Sequence, residues 1–117
     1  MKIIANLLVV VVSLLHAGFL VLEMFFWTTP FGLKTFNMTE QVAASTAVLA
    51  ANQGLYNGFL AAGLVWGLVA DRTDVELFFL ACVIVAGAYG AVTVNRRILF
   101  VQAVPAMLAF VAVLASR

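Results

Sequence analysis

The sequence predicts an all-α fold, a four-helix transmembrane bundle with short connections, and three observations lead there. Of 117 residues, 66% are strongly apolar and 9% are charged. Soluble domains run near half apolar and a quarter charged, so the chain carries more apolar surface than a core of this size hides, and a soluble monomer is not expected. A membrane-crossing helix takes roughly 20 residues, so four spans consume about 80 and leave room for three short connections and two tails. Finally, turn-forming and charged clusters divide the apolar sequence into four runs, at about 2–27, 41–70, 75–94 and 98–115.

The first run begins at Met1-Lys2 and stays apolar from Ile3 to Leu22. It is about twice as long as the core of a signal peptide and lacks an Ala-x-Ala site, so it reads as a retained span. Thr28-Thr29-Pro30-Phe31-Gly32 ends it, because Pro and Gly break helices, and Trp27 suits the membrane interface. A polar connector follows. Thr39 is the expected N-cap of the second run, with Glu40 and Gln41 in its first turn. Asp71 to Glu76 form the next connection, with Thr73 or Asp74 as the cap of the third run. Asn95-Arg96-Arg97 precede the fourth, in which Pro105 is tolerated if neighbouring groups satisfy the carbonyl it frees. With no repeat and no low-complexity linker, residues 1–117 form a single membrane domain.

Six Lys or Arg against five Asp or Glu leave a net charge of +1, which carries no nucleic-acid signature. Orientation is a tie, with Lys2, Arg72 and Arg117 on one side and Lys34, Arg96 and Arg97 on the other. The single cysteine, Cys82, packs as a small hydrophobe. One His and one Cys make no metal site, and no cofactor is expected. Asn37-Met38-Thr39 matches a glycosylation tripeptide too common by chance to carry weight.

Against this background the polar residues inside the runs are the signal. Asn6, Ser13, His16 and Glu23 share roughly a 100° stripe of the first run. Asn52, Gln53, Tyr56 and Asn57 cover an arc of about 140° on the second, with Gly54 and Gly58 roughly opposite its centre as a surface on which another helix packs closely. Gly87 and Gly90 offer a similar surface on the third. Alternating the direction of successive runs puts Glu23, Asn52 to Asn57, Tyr89, Thr93 and Gln102 in one half of the bilayer, leaving the half near Lys2 and Asp71 mostly sealed by apolar packing. Glu23 stands out. An acid in the bilayer costs several kcal/mol unless paired or hydrated, and its candidate donors are Asn52, Gln53, Tyr56, Asn57, Arg96 and Arg97. His16, about 10 Å away along the helix, permits a water-mediated relay. The alternative for the amides is an interhelical lock, typically about 0.6 kcal/mol each.

Leu22-Glu23-Met24-Phe25-Phe26-Trp27, the segment Ala51-Asn52-Gln53-Gly54-Leu55-Tyr56-Asn57-Gly58 through Gly63, and Phe79 through Gly90 closely resemble the domain of unknown function 1304 family, over nearly the whole chain. The resemblance implies a small four-helix protein of the bacterial inner membrane, multi-pass, whose signature residues are Glu23, Asn52, Gln53, Gly54, Tyr56, Asn57 and Gly58. His16 carries less of the pattern, and no substrate is implied. The leading expectation is a polar pocket, open to one leaflet, in which Glu23, Asn52, Gln53, Tyr56 and Asn57 hold the head of a small amphipathic or lipid-like molecule while Gly63 and aromatic residues shape a tail channel. An intramembrane acid/base enzyme of isomerase type, with Glu23 as the catalytic group, is the second. The third is an accessory subunit that docks through Gly54 and Gly58 or through Gly87 and Gly90. Expected partners are membrane lipid, the amphipathic ligand and a second copy of the chain.

Overall fold

The computed structural model describes residues 1–116, and among them the chain is helical with no strand. Arg117, counted in the orientation tie, lies outside the described residues. Helix α1 spans Lys2–Phe25. Where a plain connector was expected, a short helix α2 (Pro30–Phe36) forms. Pro30 begins this helix: at the first turn its missing N–H costs nothing and its φ is already helical. Thr29 caps it, its hydroxyl accepting from Gly32 N at 3.2 Å. Gly32 is buried because a Cβ there would collide with the backbone carbonyls of Phe26 and Trp27. Asn37 ends α2 in the left-handed region at φ 53°, where its N–H and that of Met38 return to the carbonyls of Lys34 and Leu33.

Helix α3 (Glu40–Val69) starts at the expected cap, with Thr39 Oγ1 accepting from Val42 N at 3.2 Å. Asp71, at φ 52°, closes it in the same manner as Asn37: Asp71 N bonds Leu68 O and Arg72 N bonds Gly67 O. Helix α4 (Thr73–Thr93) is capped by Arg72, not by Thr73 or Asp74, which are already inside its first turn. Arg72 donates to Asp74 from Nε at 2.9 Å and Nη2 at 2.7 Å. That hydrogen bond, with the carboxylate's charge, raises the guanidinium pKa above its ordinary value. The expected fourth run divides into a π-helical segment, Leu99–Ala103, and α5 (Val104–Ala115). Pro105 explains the division. It offers no N–H to residue 101 and its ring crowds that carbonyl, and the wider turn, in which Val104 N bonds Leu99 O, precedes it.

Two of the four expected spans, α1 and α4, are long and apolar enough to cross a membrane by length and composition. Helix α3 is longer than either, and its amides and glycines hold its hydropathy down. Leu99–Ala115 is apolar but shorter.

The contacts fall into two compact units. The first comprises Met1–Leu15 and Leu60–Arg117, and the second His16–Phe59. In the first, Ala5, Val9 and Val12 of α1, Leu64 of α3, Leu80 and Val83 of α4, and Ala106, Ala109 and Val113 of α5 form one apolar core. Small residues set its spacing. A Cβ on Gly67 would stand 2.6 Å from Glu76 Cγ and 3.0 Å from Glu76 N, so the first turn of α4 sits directly on α3. Gly67→Ala is therefore expected to cost about 1–3 kcal/mol, read as a lower midpoint in thermal unfolding of the detergent-purified protein. In the second unit, Trp27 Nε1 donates to Thr46 Oγ1 at 3.0 Å and its ring leans on Phe36 at 4.8 Å, joining the end of α1 to α2 and α3.

Candidate functional site

Glu23 sits in the last turns of α1 and is 7% exposed. Its burial follows from Gly54. With no side chain there, α3 closes on α1 until a Cβ on Gly54 would lie 2.9 Å from Met24 Cγ, 3.0 Å from Glu23 Cβ and 3.2 Å from Leu20 O. One turn on, the space at Gly58 belongs to Leu20, whose Cδ1 would stand 2.5 Å from a Cβ. Asn57 flanks this glycine face and donates from Nδ2 to Glu23 Oε1 at 2.6 Å. Among the described residues Asn57 is the only hydrogen-bond donor to the Glu23 carboxyl.

The other members of the expected cluster are placed elsewhere. Asn52, Gln53 and Tyr56 are exposed, Tyr56 at 58%, with its ring edge-on to Phe59 at 5.8 Å. At about 100° per residue Asn52 and Tyr56 stand roughly opposite Gly54, so a helix that closes on α1 through its glycines turns them outward. His16 is fully buried, with its ring edge-on to Phe19 at 5.2 Å. Ser13 Oγ is satisfied within its own helix, donating to Val9 O at 3.0 Å. Gly63, expected to shape a tail channel, is instead filled by the Phe79 ring. Gly87 packs on Ala103 and Gly90 on Ile98, so these glycines are occupied by the chain's own residues. Tyr89, Arg96 and Arg97 are exposed, and Arg97 N is taken by Asn95 Oδ1 at 2.9 Å.

The region near Lys2 and Asp71, expected to be mostly sealed by apolar packing, is not sealed. It holds a polar cavity of about 80 Å³ in the first unit, lined by Lys2, Asn6, Asp71, Thr73, Glu76 and Ser116 among others. Lys2 Nζ and Asp71 Oδ1 pair at 3.1 Å, both largely in solvent. Glu76, read from sequence as part of an exposed connection, is 7% exposed, because the missing side chain of Gly67 lets α4 press it inward. The signal for this was a glycine near the end of one helix facing an acid in the first turn of the next.

A family model described as a protein of unknown function, DUF1304, matches residues 10–114. The chain belongs to the DUF1304 family. It is similar to an uncharacterized protein, YpaA, of Lactococcus lactis subsp. lactis (strain IL1403), with 30% identity over 115 residues, 95% of this chain and 97% of the relative. No solved structure matches. The stretch matched by the DUF1304 model includes Glu23, Asn57 and the glycines that bring them together, whereas Lys2, Asn6 and Ser116 of the polar cavity lie outside it. The Glu23 and Asn57 pair is therefore the stronger candidate site in this DUF1304 protein.

Proposed function

We propose that this DUF1304 protein is a multi-pass membrane protein of four spans, resident in a bacterial inner membrane, that binds or carries a small amphipathic, lipid-like molecule by its polar head at Glu23. The length of α3 supports the four spans: at 1.5 Å per residue its 30 residues reach about 45 Å, beyond the roughly 30 Å of a hydrocarbon core. The ligand reading rests on one observation. Glu23 is buried in an otherwise apolar helix turn, and among the described residues its one donor, Asn57, is on Oε1, so Oε2 is left to accept a bond from a hydroxyl, amine or amide head group. A packing lock gains little from an acid in place of an amide, because the desolvation penalty of a carboxyl is larger. Phe19, a turn before Glu23 on α1, and Phe26, just beyond the end of α1, border it in sequence and offer apolar surface to a tail.

Native mass spectrometry of the protein released from mild detergent tests this reading. The wild type should retain a bound species that Glu23→Gln loses at least tenfold and Glu23→Leu loses altogether. The same complement of bound lipid in all three proteins would remove the proposal.

A further inference from the structure

We infer that this protein self-associates through the outer face of α3, with Asn52 of one copy hydrogen-bonded to Asn52 of a second. The inference rests on the membrane-spanning reading of α3 given above. Ser45, Val48, Asn52, Leu55 and Phe59 follow one another at intervals of three, four, three and four residues, the seven-residue repeat of a helix that packs along a partner helix. All five are exposed, Val48 at 83% and Phe59 at 54%, and they lie on the side of α3 away from the Gly54 and Gly58 contacts. Their apolar members extend the stripe above and below a central amide. Asn52 occupies the position in the repeat at which a single asparagine sets register and favours pairing of two strands.

The chemistry selects the occupant. An amide carries a donor and an acceptor on one planar group, so two copies related by a two-fold axis satisfy each other with no second residue type. Hydrocarbon offers neither donor nor acceptor, and an amide facing it is unsatisfied. A charged partner would leave its own charge in the bilayer uncompensated by this neutral face. The Tyr56 ring, beside the stripe and in contact with Phe59, adds apolar surface with a hydroxyl at its end. The heptad spacing calls for two left-handed supercoiled helices, the crossing common among membrane helices.

Disulfide crosslinking in isolated membranes tests the inference, with single cysteines introduced at positions 42 to 60 of a Cys82→Ser protein. Dimer yield should peak at 48, 55 and 59, which leave the Asn52 amide in place, and fall at 54 and 58. Asn52→Val, placed in the Val48→Cys background, should raise the dimer dissociation constant about tenfold, as for interhelical amides in model peptides, while the thermal midpoint of the monomer is unchanged. A yield without this period, a maximum on the glycine face, or equal dimer in the Asn52→Val protein would overturn it. Retention in carbonate-washed membranes reports separately on the four-span reading: protein that washes off removes that reading, while the crosslinking period still decides which face associates.

Discussion

Gly87→Leu is expected to destabilise the protein by about 3 kcal/mol or more, enough to prevent recovery of a folded monodisperse sample. Gly87 is buried in the C-terminal half of α4, and a Cβ there would lie 2.9 Å from both Cβ and N of Ala103 and 3.1 Å from its Cα. Two of these atoms are backbone, so a rotamer change cannot relieve the collision. Ala103 itself is held, since it ends the π-helical segment and Pro105 follows two residues later with φ locked. Overpacking a well-filled site costs typically 1–3 kcal/mol, and the whole leucine side chain must be accommodated between two helix backbones. Gly18 supplies the control. Nothing lies within 4 Å of a Cβ built there, so Gly18→Leu, also on an apolar helix, should melt within a degree or two of the wild type. Equal midpoints for the two variants in detergent would show that the approach of α4 to the π-helical segment does not hold the fold.

That contact illustrates what could be read from sequence and what could not. The helical class and most helix boundaries follow from composition and local chemistry: Thr39 caps α3 as its hydroxyl and the following Glu40 indicate. Pro30 and Pro105 were harder, because proline interrupts a helix in one position and starts one in another. At Pro30 the distinction lay in Thr29, a residue that can cap. At Pro105 it lay in a register shift of one residue, with no signature in residue type. The candidate site was legible in part. Glu23 and Asn57 both stand out in the sequence, where helical spacing puts the amides on one face and the glycines on another. The structure shows that the glycine face is the one that meets Glu23, which brings along its flank residue Asn57 and turns Asn52 and Tyr56 away. Periodicity assigns residues to faces but cannot say which face meets which helix. For the same reason Glu76, which the sequence groups with Asp74 in a connection, is buried.

Asn57→Val is expected to cost about 3 kcal/mol, and the reason bears on why an acid is present at all. The substitution removes the donor to Glu23 Oε1 while the packing at Gly54 keeps the carboxyl buried. A buried acceptor without its partner carries its full desolvation cost, about 1–3 kcal/mol for a neutral group and more for a charged one. Glu23→Leu should cost less, because Asn57 is only half-buried and its amide can turn to an outside partner. In the double variant neither polar group is left behind, and two apolar side chains fill the contact. Replacing a buried polar pair by apolar residues of similar size is often neutral or stabilising, so Glu23→Leu with Asn57→Val should recover most of the loss and show a coupling of about 2 kcal/mol in a double-mutant cycle. Thermal and denaturant unfolding of the four proteins in one detergent supply the comparison. Coupling below about 0.5 kcal/mol would mean that the 2.6 Å bond contributes nothing to the fold. A double variant as stable as the wild type but stripped of its bound lipid would separate the two roles: the apolar pair would then suffice for packing, and the carboxyl would be required only by the molecule it receives.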